Sequence, residues 1–219
     1  LSWKILHKEK YGLSDNILQT YESERKPHTK VVIKHAKEFG QIIGELNLKR
    51  AEKRDRTLSL ELLSGKMVKT RQKFIPDITG DFLIKNNIKT KECRHGGKLF
   101  VQPRIRFQNG KEKLLEDFMP MSFLYLTDGQ ASQVWMNEHE DFWNKIEGIR
   151  FSISDKTTDR NMASKKIPNF EELGTIFRDW YSNVSCKGVV VRPDRYVFST
   201  IHGKNDLDLA INKLKKFYY

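Results

Sequence analysis

Apolar positions fall in helical rows at both ends of the chain and in alternating or continuous runs between them. Near the start, Ile17, Leu18 and Tyr21 follow Ser14 and Asp15, either of which can cap a helix. Pro27 disfavours helix at Lys26 yet suits a first helical turn, so the pattern predicts two helices meeting at Arg25 to Pro27. Beyond it, Val32, Ala36, Phe39, Ile43 and Leu46 form one stripe, with Lys30, Lys34, Lys37, Gln41 and Glu45 largely elsewhere. A stripe this apolar needs a cover. The expectation is that residues 1–48 dimerise or exchange amide hydrogens quickly while residues 122–219 stay protected.

Residues 50–95 carry little periodic signal. Arg50 to Arg56 is charged, Leu58 to Leu63 is a short apolar run, and Pro76, Gly80 and Gly96-Gly97 punctuate the rest, predicting irregular structure with at most one strand. Leu99 to Phe107 alternates as a strand, in which Pro103 argues for an edge. Phe123 to Leu126 reads as a strand buried on both faces, ended by a turn at Asp128-Gly129. A helix with Trp135, His139, Phe142 and Ile146 on one face follows, then a strand over Ile149, Phe151 and Ile153. Asn169 and Glu172 predict a capped start for a helix bearing Leu173, Ile176, Phe177, Trp180 and Tyr181. Val189–Val191 and Tyr196–Ile201 form a hairpin around Arg192-Pro193-Asp194-Arg195, and Leu207, Ala210, Ile211, Leu214 and Phe217 close the chain as a helix after Asn205 or Asp206. The order from Ser122 onward, βαβ, helix, hairpin, helix, is that of a thioredoxin-like domain.

Composition narrows the function classes. The 219 residues carry a net charge of +12 and two cysteines, Cys93 and Cys186, far apart in sequence. That usage suits free thiols in a reducing cytosol. No apolar run approaches the roughly 20 residues that span a bilayer, so a soluble cytoplasmic protein without a membrane partner is expected. Residues 1–92 hold 20 basic and 12 acidic side chains, but Lys and Glu alternate rather than forming a block. No aromatic RNA motif, zinc-finger spacing or helix-turn-helix signal accompanies the charge. A basic nucleic-acid-binding module is therefore the weaker reading, and any such binding is expected to be sequence-blind.

Three segments carry a resemblance. Leu1-Ser2-Trp3-Lys4-Ile5-Leu6 leads toward Tyr21, Glu24, Arg25 and Pro27. Gly97-Lys98-Leu99-Phe100-Val101-Gln102-Pro103-Arg104 stands far downstream, and Val189-Val190-Val191-Arg192-Pro193-Asp194-Arg195-Tyr196-Val197 is the third. In this order they resemble N-L-A-W-K-L with Y-x-x-E-R-x-P, G-R-L-F-P-Q-P-R, and V-V-R-P-D-R-Y-V of single-component FAD-dependent aromatic hydroxylases, in particular the 3-(3-hydroxyphenyl)propionate hydroxylase group. The resemblance implies an α/β architecture in which residues 1–49 are the terminal helices of a flavin-binding domain, 50–97 an irregular linker, and 98–219 a thioredoxin-like C-terminal domain. It also implies FAD, NAD(P)H and an aromatic substrate for an intact parent, of which this chain, opening inside a helix without an initiator Met, is the C-terminal portion. The chain's own expected role is scaffolding or subunit contact, a homodimer included. A non-catalytic thioredoxin-like interaction module is the alternative.

No residue is assigned a catalytic, cofactor-binding or metal role. The start of the helix after the first strand of the βαβ unit, Asp128-Gly129-Gln130-Ala131-Ser132, lacks the C-x-x-C of a dithiol oxidoreductase, and Ser185-Cys186-Lys187 replaces the proline expected before the hairpin. There is no G-x-G-x-x-G turn for a pyrophosphate. Glu138-His139-Glu140-Asp141 lacks metal-ligand spacing. His28 and His35 sit among lysines, and Arg94-His95-Gly96-Gly97-Lys98 reads as a turn rather than an anion cradle. Arg25, beside Tyr21 and Glu24, is expected to act as a structural lock.

Overall fold

The computed structural model describes residues 1–65, 75–84, 95–106, 110–118, 121–127, 130–154 and 169–219. By internal contacts the chain forms two units, residues 1–22 with 80–219, and residues 23–79.

The second unit is helical. α2, Asn16–Ile43, enters it and runs unbroken through Pro27, so the two helices predicted to meet there are one. Proline removes one N–H from the ladder and strains the preceding turn. The buried positions Ile17, Thr20, Glu24 and His28 nevertheless keep a spacing of three and four across it, and that continuous phase outweighs the local signal. α3, Leu48–Leu63, begins at Asn47, whose Oδ1 accepts from the Arg50 N–H at 3.2 Å. Helix therefore replaces the irregular structure expected from residue 50. Its charged run faces water, and Arg54 donates to the Ile42 carbonyl at the end of α2 and pairs with Asp55 at 2.7 Å. The stripe on α2 is open to solvent, Phe39 by 47 % and Ile43 by 83 %, while Leu46 lies past the helix end.

In the first unit, α1, Ser2–Tyr11, ends at Gly12, whose φ of 74° admits the left-handed closing turn, with its N–H on the Lys8 carbonyl at 3.1 Å. Trp3, Lys4, His7, Leu13 and Ile17 are all buried. The start of the chain thus has its cover within its own unit, contrary to the expectation of a loose segment throughout residues 1–48.

A seven-stranded sheet occupies the rest, in the order β2-β1-β5-β4-β3-β6-β7. Its strands are β1 Arg104–Arg106, β2 Glu112–Leu114, β3 Leu124–Thr127, β4 Ile149–Ser154, β5 Asn169–Glu172, β6 Gly188–Val191 and β7 Val197–Ile201. β3, β4 and β5 are parallel; β6 lies antiparallel to β3, and β7 to β6 with a register shift between Val190 and Val191. The four residues of β3 are buried throughout, as a continuous apolar run requires. Around these strands lie α4 Gln130–Asn137, α5 Glu140–Lys145, α6 Ile176–Val184 and α7 Lys204–Tyr218. One sheet face packs Leu124, Leu126, Phe151, Ile153, Val189 and Val191 against Phe177, Tyr181 and Val184 of α6. α7 packs against β7 and α4, burying Leu207, Ala210, Ile211 and Leu214.

Four expectations change here. The edge strands are β2 and β7, not β1, and Pro103 lies just before β1, outside the ladder, its carbonyl accepting from the Leu115 N–H at 3.0 Å; Phe107 falls outside the described residues, as do Asp128-Gly129 and Cys93. The helix read over Trp135 to Ile146 is two, α4 and α5, with His139 at the join, where its Nε2 lies 2.7 Å from Asp208 Oδ1 on α7. Asn169–Glu172 is a strand, not a helix start. Glu172 still caps α6, but from a distance, accepting from the Phe177 and Arg178 N–H groups at 2.7 and 3.2 Å. α7 opens at Lys204, where Asp206, inside the first turn, accepts from the Gly203 N–H at 3.0 Å. Among the described residues, no helix is long and apolar enough to cross a membrane.

Candidate functional site

The hairpin turn between β6 and β7 is closed by its own backbone: the Arg195 N–H reaches the Arg192 carbonyl and the Arg192 N–H the Tyr196 carbonyl, both at 2.9 Å. Pro193 presets one φ, and Arg195 takes the left-handed conformation at φ 67°. This geometry turns the Arg192 side chain inward, where it is fully buried. A buried guanidinium must be paired. Arg192 Nε and Nη2 donate to the two oxygens of Asp194 at 3.0 and 2.8 Å, a fork matched to a carboxylate.

The third donor to Asp194 is Trp3 Nε1 of α1, at 3.1 Å. The Trp3 ring also covers the Arg192 guanidinium, 5.3 Å from its centroid, and Phe82 lies 5.4 Å from the same group. Trp3 meets Phe123 edge to face at 5.7 Å. Its neighbour Lys4, only 1 % exposed, donates to Thr20 Oγ1 and lies 5.6 Å from the Trp3 ring.

One turn further along α1, His7 Nε2 is 2.7 Å from the Met121 carbonyl and Nδ1 is 2.6 Å from the Tyr218 hydroxyl. A carbonyl only accepts, so Nε2 carries the proton and Nδ1 accepts from Tyr218. Burial lowers the His7 pKa, with Lys10 adding to the effect against the Met121 bond and Glu147; burial raises that of Tyr218. In the unfolded chain the imidazole titrates near 6.5. Stability tied to neutral His7 is thus complete above that pH and lost as pH falls toward the lower native value, a direction His28 shares through its own burial. Denaturation midpoints of the chain should fall between pH 7 and 5, and His7→Gln should flatten that slope.

The second motif joins at the same turn. Gly97 N–H donates to the Val197 carbonyl, Val197 N–H to the Lys98 carbonyl, and Phe100 N–H to the Arg195 carbonyl, each at 2.8 Å. Arg195 pairs with Glu116. Trp3 of the first motif and the backbone of the second therefore meet at the turn of the third, which the sequence does not disclose because the three are separated by most of the chain. The available signal was Trp3 and His7 at i and i+4 on one helix face.

This junction is a latch of mutually paired groups. Asp194 accepts from three donors and is not placed as a general base. The Gly97 N–H is committed to Val197, and Lys98 N–H to the His95 carbonyl at 3.1 Å, so neither of these two groups is open to an anion; Arg94 lies outside the described residues. These residues do not fit a flavin pyrophosphate. Of the acidic cluster, Glu138 pairs with Lys204, Glu140 lies 3.8 Å from Arg150, and His139 faces Asp208. Among the described residues no group of His, Cys, Asp and Glu is arranged to hold a metal. Cys186 is a buried thiol after Ser185, the left-handed cap of α6. At the expected lock, Glu24 is the buried residue, while Arg25 is half-buried and adds to the burial that lowers the His28 pKa.

Fold and junction define a mixed α/β module whose sheet carries a docked N-terminal helix. A model of the HcaD C-terminal domain family matches residues 97–216, and the chain belongs to that family. It is 28% identical over 210 residues to 3-(3-hydroxy-phenyl)propionate/3-hydroxycinnamic acid hydroxylase 2 of Burkholderia vietnamiensis, covering 90% of this chain and 38% of that protein. It is 25% identical over 225 residues to the corresponding hydroxylase of Escherichia coli, covering 98% and 39%. The chain thus spans less than two fifths of these relatives. The fold is similar to that of aklavinone-11 hydroxylase, solved with FAD and aklavinone (TM-score 0.60, 14% identity, 97% of this chain, 37% of that one). It is equally similar to that of the flavin-dependent monooxygenase PieE, solved with FAD and substrate (TM-score 0.61, 14% identity, 98% and 42%).

Proposed function

We propose that this chain is the C-terminal portion of a cytoplasmic, FAD-dependent, NAD(P)H-using monooxygenase that hydroxylates a phenolic or related aromatic compound. In this reading residues 1–49 end the flavin-binding domain, 50–97 connect, and 98–219 form a thioredoxin-like C-terminal domain. The flavin, held by the rest of such a protein, supplies the oxygen-transfer chemistry. The residues of this chain scaffold it.

The observation that carries the reading is the match of the sheet domain to a family named for its C-terminal position, together with hydroxylase relatives aligned over nearly the whole chain. The thioredoxin-like assignment draws support from the strand order β4-β3-β6-β7, with β3 and β4 parallel and β6 and β7 antiparallel. A subunit contact, a homodimer included, is the scaffold's second proposed role, and the solvent-facing stripe of α2 gives it a surface.

The test is to purify the chain alone and the protein encoded with whatever sequence precedes Leu1. The longer protein should be yellow, bind one FAD and oxidise NAD(P)H faster when offered 3-hydroxyphenyl acids. The chain alone should be colourless and inactive with the same substrates. Stoichiometric flavin on the chain alone, or a longer protein without flavin, would overturn the proposal.

A further inference from the structure

α1 is fastened to a sheet from which it is separated in sequence by residues 23–79, which form a unit of their own. Chain connectivity over so long a loop does little to hold the helix in place, so its position depends on contacts. Beside the exposed Lys10–Glu147 pair at 2.7 Å, two buried side chains one turn apart make specific polar contacts. Trp3 places its indole N–H on Asp194 and its ring over Arg192. His7 places one nitrogen on the Met121 carbonyl and the other on the Tyr218 hydroxyl.

We propose that the Arg192–Tyr196 turn, which receives Trp, together with Met121 and Tyr218, which receive His, forms a helix-docking socket for an amphipathic helix bearing the two residues four apart, filled here by α1. Asp194 reads the indole N–H. Arg192 is a positioning residue: its fork holds both Asp194 oxygens, so the acceptor stands preformed for the indole. Phe82 and Phe123 wall the ring, Phe82 meeting it at 5.7 Å with a tilt of 38°. The backbone of Gly97 to Phe100 braces the turn from its other side through Val197 and Arg195. The ligand class is thus a peptide helix, and the specificity lies in one charge-assisted hydrogen bond that only tryptophan, among the aromatic residues, supplies from a ring nitrogen fused to so large an apolar face. On the reading given above, the same socket would hold the segment leading in from the flavin region in fixed register with the sheet; the docking itself stands without that reading.

The experiment uses the full chain labelled with ¹⁵N, without flavin, so its outcome is independent of the parent's activity. Asp194→Ala should move the Trp3 indole N–H resonance to the position of a solvent-exposed indole. It should also raise amide exchange along α1 roughly tenfold or more, the worth of a hydrogen bond to a charged acceptor. Amides of β3, β4 and β6 should keep their protection. Asp194→Asn, whose carbonyl oxygen still accepts, should recover part of the effect, and Trp3→Phe, which keeps a ring in the socket, should loosen α1 in the same sense. Unchanged α1 exchange in Asp194→Ala would show that the socket does not hold the helix. Loss of protection in α1 and the sheet together would make Asp194 an ordinary stability residue and equally overturn the proposal.

Discussion

Arg192→Ala should lower the unfolding free energy of the sheet-bearing unit by about 3 kcal/mol, the low end of the range for removing one partner of a buried ion pair, because the Asp194 left behind is partly exposed. Arg192 is wholly buried, and its loss leaves the Asp194 carboxylate without its fork and the Trp3 and Phe82 rings over a void. The adjacent Arg195 is the internal control. It too is ion-paired, but its side chain is 39 % exposed, and Arg195→Ala should cost no more than about 1 kcal/mol, as exposed pairs do. Replacing both members of the pair, as Arg192→Met with Asp194→Leu, should restore only part of the stability, since the unpaired carboxylate is gone but the Trp3 indole N–H has lost its acceptor. Urea denaturation followed by tryptophan fluorescence measures all three. An Arg192→Ala midpoint equal to that of Arg195→Ala would show that the turn tolerates the loss and that the latch is not the support inferred here.

Gly148→Ala should be strongly damaging for a change of a single methyl group. A Cβ built on Gly148 falls 2.4 Å from Cε2 of Trp143 and 2.6 Å from Cδ2 and Nε1 of the same ring. Trp143 is fully buried and cannot swing into solvent. The clash must be absorbed by a backbone shift between α5 and β4, where the Gly148 N–H is tied to the Trp143 carbonyl at 2.8 Å. Overpacking of this kind costs about 1–3 kcal/mol, and the depth of the overlap places Gly148→Ala at the upper end. Trp143→Leu in the same chain should recover part of the loss by vacating the space. Gly40→Ala, on an open face of α2 with nothing within 4 Å of the added carbon, should instead be neutral or stabilising by up to about 1 kcal/mol. A thermal melt of Gly148→Ala that coincides with wild type would mean that the ring and backbone yield far more easily than a close-packed interior does.

Elements built from their own residues were legible in the sequence. The hairpin of β6 and β7 is marked by β-branched runs around Arg192-Pro193-Asp194-Arg195. β3 is marked by the apolar run Phe123 to Leu126, and α7 by the 3.6-residue recurrence of Leu207, Ala210, Ile211 and Leu214. Each of these signals lies within one turn or one pleat, where side-chain period and backbone geometry are directly linked. The three motifs were legible as segments and sufficed for the family.

What remained hidden depended on partners distant in sequence. Asn169–Glu172 has a capping pattern but is a strand because β4 offers it a parallel edge and β1 an antiparallel one. The helix over residues 130–145 breaks at His139, where Asp208 of α7 lies within hydrogen-bonding distance of the imidazole. Pro27 signals a boundary that the continuous phase of α2 overrides. The latch is the clearest case. Trp3, Asp194 and Gly97 carry no mark of one another along the chain, and only the folded sheet brings the indole, the carboxylate and the bracing amide to one turn. The sequence by itself determined the local elements and the kinship, because these are encoded in period and order. The tertiary structure decided which strand lies at the edge, where helices stop and what the motifs are for, because a buried polar group is settled by whichever partner the fold delivers to it.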